Sequence, residues 1–483
     1  MQNSHCQINC RQLLLQHWGM VVSILLTPMV LWAVLYILPT HDDWASSTTP
    51  DFNPFFIKEH FFFYGYHWRP FDTWIGYIAG RNPQLLYPAF NHVLVVIGHL
   101  LATWCLYRVL AILSISKTAQ NMATLFFFVT PACMATVTAV DSQNQVYALT
   151  YDMVAFMAYV KLKKHKYLVW PLLVLIATLC KENGLMWALI CPILAFGFNI
   201  IDKKTLKKDM LIGIGIMVVY ALAIMLLPKD ITIHPEYEPG ILKVIKNGVK
   251  CLFTSFITVD YVYLLHQPSR NLLLAGISLV MTIPFCYLVF IQKRDLLVNK
   301  KTGSMLLCLM IAVGPHLLTV FSMMHTYAGL PLVALIIAHL VDSYQKEKRK
   351  LMLAFMLFLT AAMAIDVHLI DCSIKSGRIG KVMAQDAIRK TGRPTDNVYV
   401  VIIEDDYPKL SSFCVIPSEA FGWGWASRYE TNYQWPQSIK DTTIVHSENA
   451  LEEAKQLSRK IVNEGHYGCV WIVNHQQVDV VKR

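Results

Sequence analysis

The chain is predicted to be an α-helical polytopic membrane protein, with about 11 transmembrane helices and a small C-terminal α/β domain. Three observations predict it. Of 483 residues, 55% are hydrophobic and 15% charged, and mean hydropathy is +0.43; soluble domains carry about a quarter charged residues. The apolar residues fall in runs near the roughly 20 residues that a helix needs to cross a bilayer. Clusters of lysine and arginine recur at every second run, as they do when loops alternate between two sides of a membrane.

The runs cover about residues 20–38, 91–112, 119–140, 144–161, 167–180, 183–201, 209–227, 271–291, 304–322, 328–342 and 351–369. The first is too long for a signal-peptide core and no small-residue cleavage site follows it, so it is expected to be retained. The fifth and tenth are short. The loop 40–90 contains Glu59-His60-Phe-Phe-Phe-Tyr-Gly-Tyr-His-Trp-Arg69-Pro-Phe71, whose aromatics favour interfacial helices. In the loop 228–270, Pro228, Pro235 and Pro239 break the chain. Ile241–Leu265 then reads as an amphipathic helix with Lys243, Lys246 and Lys250 on its polar side.

Four basic clusters set the orientation: Lys161 to Lys166, Lys203 to Lys208, Lys293 to Lys301 and Lys346 to Lys350. Successive clusters are two runs apart, so all four share one side, expected to be cytoplasmic. The net charge of +10 is therefore topological and does not imply nucleic acid. The N-terminus is expected in the cytoplasm and the C-terminus outside, in a bacterial inner membrane or alternatively the endoplasmic reticulum.

After residue 370 the composition becomes that of a soluble domain. Asn397–Ile403, Thr443–His446 and Cys469–Val473 read as strands. Asn449–Asn463 reads as a helix, with Asn449 and Glu452 in a capping-box pattern. The expected division is 1–369, a membrane domain, and 370–483, an extracytoplasmic α/β domain.

The candidate chemistry gathers on the external side. Asp42 and Asp43, in His41-Asp42-Asp43-Trp44, end the first run beside an aromatic loop. A carboxylate there can act as a general base, or can be a hydrated loop end. Arg69 can hold a phosphate through two parallel hydrogen bonds or anchor an interfacial helix. Lys181-Glu182 sits in a tight turn between two runs; Lys181 can bind phosphate with Glu182 orienting it, or the two can pair. Glu59, His60, Asn91, His92, His325 and Tyr327 are supporting candidates, while His99, His316 and His339 read as structural. The 12 cysteines and 17 histidines show no metal-ligand spacing, so no metal or other cofactor is expected, though a divalent ion stays open. No Walker loop, GxGxxG or GxSxG occurs.

Four segments together resemble the GT-C superfamily of integral-membrane glycosyltransferases, and within it the dolichyl-phosphate-mannose-type protein O-mannosyltransferases. They are His41-Asp42-Asp43-Trp44; Trp68-Arg69-Pro70-Phe71 with Asn91-His92 about twenty residues on; Ala177-Thr-Leu-Cys-Lys181-Glu182-Asn-Gly184, similar to that family's Ser-Lys-Glu-Gly turn; and His325-Thr-Tyr327-Ala-Gly-Leu-Pro331, similar to its Arg-Tyr-x-Tyr-Leu-Pro segment. Thr326, Gly329 and Cys180 depart from those motifs. The resemblance covers about residues 15–369. It implies inverting transfer from a polyprenyl-phosphate sugar to a hydroxyl of a protein, glycan or lipid acceptor. Asp42 would be the base with Asp43 assisting, and Arg69, Lys181 and His325 would contact the donor phosphate.

Three alternatives remain open at this level: an oligosaccharyltransferase or ligase using a lipid-linked glycan, a lipid-linked sugar transporter or flippase, and a non-catalytic assembly factor. A transporter predicts inverted repeats and mid-membrane charges; no repeat is visible, and the polar groups favour one face.

Overall fold

The computed structural model describes residues 14–38, 69–71, 74–75, 78, 88–139, 142–226, 240–257, 268–292, 294–318, 322–344, 348–391, 397–403, 439–447, 449–474 and 477–482. The first helices are α1 (Trp18–Val34), α2 (Ala89–Ile112), α3 (Lys117–Val129), α4 (Pro131–Val137), α5 (Gln143–Lys161), α6 (Lys166–Cys180) and α7 (Trp187–Gly197). Next come α8 (Lys203–Leu226), α9 (Ile241–Phe256), α10 (Pro268–Cys286), α11 (Lys300–Leu317), α12 (Leu330–Asp342) and α13 (Lys348–Thr391). Each of the eleven apolar runs falls on a helix.

Four of these helices are long and apolar enough to cross a membrane: α2, α8, α13 and the segment Leu272–Ile291. The pair α3 and α4, bent by 49°, makes a fifth if taken as one span. This is fewer than the eleven expected, for two physical reasons. Helices α1, α6, α7 and α12 have 17, 15, 11 and 13 residues, short of the roughly 20 a span needs. Helix α5 carries Gln143, Asn144, Gln145 and Asp152 among its apolar residues, and α11 opens on Lys300 and Lys301 and carries Pro315 and His316 in its last turn. The outer faces are apolar: Leu211, Val219 and Met225 on α8 and Leu272, Leu273 and Val280 on α10 are exposed, as suits helices whose solvent is lipid.

Pro131 divides α3 from α4. It sits at the first position of α4, where its missing N–H costs nothing. The bundle core is aromatic, with Phe126, Phe127, Phe128, Phe156, Phe355 and Phe358 fully buried.

Helix α9 is shorter than the sequence pattern implied, ending at Phe256. Its apolar residues Ile241, Leu242, Ile245 and Val249 face outward, while Asn247, Thr254 and Ser255 are buried. Asn247 Nδ2 donates to the Leu317 carbonyl at 2.9 Å. The polar stripe binds the bundle and the apolar stripe points away, the arrangement of a helix lying at a lipid interface.

The last helix of the bundle, α13, runs 44 residues without a break, about 66 Å at 1.5 Å per residue. It passes through residue 369 and joins the C-terminal sheet directly. That sheet holds β1 (Val398–Ile403), β2 (Ile439–Val445), β3 (Cys469–Asn474) and β4 (Gln477–Lys482) in the order β2-β1-β3-β4. β1 is parallel to both neighbours and β4 is antiparallel to β3. Val401, Ile403, Val470 and Ile472 pack on α14 (Ala450–Glu464). The alternate residues include Trp471, whose Nε1 donates to Thr391 Oγ1 at 2.7 Å. Lys390 Nζ donates to the Val478 carbonyl at 2.6 Å, so the end of α13 is fastened to the sheet.

The capping-box expectation is corrected. Asn449 makes no side-chain cap, and Glu452 instead receives a 2.9 Å hydrogen bond from Lys455. The lysine competes successfully because it stands one turn along the same face. Strand β4 is an addition to the three strands expected; its alternating Gln477-Val-Asp-Val480 edge pattern is short and half polar.

Candidate functional site

The site begins where α6 breaks. Lys181 is extended (φ −155°, ψ 137°), and a 3-10 turn, Glu182–Met186, follows. Gly184 lets this turn fold back on α6. A Cβ there would lie 2.7 Å from the Ala177 carbonyl carbon, closer than any side chain tolerates. The break therefore leaves two opposite charges adjacent but pointing to different partners.

Lys181 is buried, and its Nζ donates to Gln145 Oε1 at 2.6 Å. The Gln145 amide donates onward to the Met324 carbonyl in a second 3-10 turn, Met323–Ala328. Glu182 accepts two parallel hydrogen bonds from Arg69, from Nε at 2.9 Å and Nη2 at 2.8 Å. Phe71 packs on Tyr147 of α5 with ring centroids 5.3 Å apart, which fixes the approach of the Arg69 segment.

His316 and His325 stack at 4.7 Å with planes 11° apart. His325 Nδ1 accepts the Ser322 N–H at 3.3 Å, which places the proton of the neutral ring on Nε2. His316 lies within electrostatic reach of Lys181, Glu182 and Arg69, as Tyr220 does of Glu182 and Arg69. A guanidinium, an ammonium, a carboxylate and two imidazoles thus meet at one end of the bundle. A fork and a point charge so placed can hold a phosphate or another oxyanion.

Among the other candidates, His92 Nε2 donates to the Ile37 carbonyl at 3.1 Å, tying the start of α2 to the end of α1. Asn91 is buried beside it. Tyr327 stands apart from the Arg69 group. It is fully buried, and its hydroxyl donates to His99 Nδ1 at 2.9 Å while His99 Nε2 donates to the Phe128 carbonyl at 3.1 Å. Asp42, Asp43, Glu59 and His60 lie outside the described residues.

Two of the departures from the resembled motifs, at Thr326 and Gly329, have physical reasons. Thr326 is buried, and its hydroxyl bonds the Met323 carbonyl. At Gly329 a Cβ would meet Leu309 Cδ1 and Val313 Cγ1 at 2.7 Å, so no tyrosine fits. Lys250 of α9 is held below its ordinary pKa, by burial first and by Lys246 second. Among the described residues, no three His, Cys, Asp or Glu side chains are grouped to hold a metal.

Sequence reasoning gave Gln145 no role and read His316 as structural. The available signal was the polar run Asp141–Gln145, whose last three residues open the otherwise apolar α5, where an amide is forced inward.

No known protein-family model matches the chain, and no curated protein matches it.

Proposed function

We propose that the chain is an integral-membrane glycosyltransferase that moves a sugar from a polyprenyl-phosphate donor to an acceptor hydroxyl on the external face. The observation that carries this reading is the convergence of Arg69, Lys181, Glu182 and His325 from segments up to 256 positions apart (325 − 69). A lipid-bound donor suits an external site, because its tail crosses the membrane while nucleotide sugars stay in the cytoplasm. Cations beside the leaving phosphate stabilise the charge that builds on it. Donor phosphate would take the Arg69 fork now occupied by Glu182. The resemblance supplies Asp42 as base, with Asp43 assisting, and inversion at the anomeric carbon. The shorter apolar helices complete the eleven spans of this reading, with the basic clusters cytoplasmic and the bacterial inner membrane preferred.

The test is release of polyprenyl phosphate from protein in lipid, offered a panel of polyprenyl-phosphate sugars. Wild type is compared with Asp42→Asn, Asp43→Asn and Lys181→Met. Release by wild type that is lost in Asp42→Asn, with donor still bound, supports the reading. Equal release by all four removes the acidic pair and Lys181 from the mechanism.

A further inference from the structure

Beside the charged group lies a cluster with a different character. Asn91, His92, Thr136, Ser142 and Gln143 are all fully buried. Among the described residues, both amide atoms of Asn91 and of Gln143 meet no hydrogen-bond partner, nor do His92 Nδ1, Thr136 Oγ1 and Ser142 Oγ. Buried polar atoms are nearly always paired in native proteins, so a concentration of unpaired ones needs a cause.

The five residues stand at one level of the bundle. Helices α2 and α3 run antiparallel, since Lys117 Nζ meets Tyr107 Oη at 3.1 Å and His99 Nε2 meets the Phe128 carbonyl at 3.1 Å. The end of α4, with Thr136, therefore returns to the start of α2. Helix α5 sets out from there. Val146 lies against Gly98, and Thr150 Oγ1 donates to the Gly98 carbonyl at 3.4 Å. Asn91 and His92 precede Gly98 by about two turns, and Ser142 and Gln143 precede Thr150 by the same distance. The two pairs are neighbours.

The chemistry of the cluster is neutral and two-sided. A carbonyl only accepts, so the His92 proton sits on Nε2 facing Ile37, and Nδ1 is left as an acceptor. The two amides offer donors and acceptors, and the two hydroxyls offer both. A sugar ring presents hydroxyls of the same dual kind. The cluster also lies near the phosphate group: α4, which carries Thr136, packs on the Met323–Ala328 turn, whose Met324 carbonyl accepts from the same Gln145 that holds Lys181.

We propose that Asn91, His92, Thr136, Ser142 and Gln143 bind the hydroxyls of the sugar ring, next to the Arg69–Lys181 group. This rests on the reading of that group as a phosphate site.

The experiment uses the full chain in lipid nanodiscs with three probes: polyprenyl phosphate, polyprenyl-phosphate monosaccharides, and a panel of free methyl glycosides followed by ligand-observed NMR. Wild type is compared with Asn91→Leu, Gln143→Leu and the smaller change Ser142→Ala. Wild type is expected to prefer a sugar-bearing lipid over polyprenyl phosphate by at least tenfold. The leucine variants lose that preference, bind polyprenyl phosphate as wild type does, and melt no lower, because an apolar side chain replaces unpaired polar atoms. Ser142→Ala reduces the preference in part. Retention of the preference in all variants overturns the proposal, even if they melt higher, and shows that the cluster is only hydrated. Glycoside binding that depends on Asn91, without any affinity for polyprenyl phosphate, upholds the sugar site and sinks the phosphate reading. Absence of both glycoside binding and donor preference in wild type overturns the sugar site.

Discussion

Arg69 and Glu182, 113 residues apart, are joined by two parallel hydrogen bonds of 2.9 and 2.8 Å. The pair is about three-quarters shielded from solvent, and it fastens the loop before α2 to the break after α6. Its geometry depends on the planar guanidinium, which an ammonium cannot reproduce. A double-mutant cycle with Arg69→Lys and Glu182→Gln is expected to give a coupling of about 1 kcal/mol, at the upper end for partly exposed pairs. Arg69→Lys should also lower turnover more than tenfold if the fork holds the donor phosphate. Unfolding in lipid and product release measure the two effects separately.

Gly184→Ala is expected to destabilise the protein by about 1–3 kcal/mol, the usual cost of overpacking. The new methyl would meet the Ala177 backbone at 2.7 Å, which cannot yield as a side-chain tip can. Thermal melting reads the loss. Because the turn aims Lys181 at Gln145, the variant should also weaken phosphate binding.

Tyr327→Phe isolates a structural role. Removal of its hydroxyl leaves His99 Nδ1 buried without its partner, at a cost of about 1–3 kcal/mol. The expected result is a lower melting temperature with turnover per folded molecule unchanged. Loss of turnover at unchanged stability would instead place Tyr327 in the reaction.

Lys250 provides a test by pH. Burial, and then Lys246, hold its pKa below the ordinary value. The unfolded chain, with lysine near about 10.4, therefore binds this proton more tightly than the folded one. Stability from this group is low beneath the depressed value and rises as pH climbs from it toward about 10.4. Lys250→Gln should abolish that alkaline gain, seen in melting temperatures of both proteins across the interval.

Thr391→Val removes the buried acceptor of the Trp471 Nε1–H bond. Amide exchange in β3 and β4 should accelerate, consistent with a loss of about 1–3 kcal/mol at the joint between helix and sheet.

Local pattern determined much of this protein. Hydropathy alone placed a helix on each apolar run, because burying or lipidating an apolar stretch requires its backbone to be bonded within itself. The runs at Asn397–Ile403 and Cys469–Val473, short and β-branched, announced the strands β1 and β3. The tertiary structure decided what no local pattern encodes. It paired Arg69 with Glu182 and Lys181 with Gln145, withdrew Tyr327 to His99, and turned the polar stripe of α9 inward. It also carried α13 through residue 369 to grip the sheet at Trp471. Each of these depends on which distant groups meet. A lysine or tyrosine has the same local propensity whether its partner is four residues away or two hundred, and only packing selects the partner.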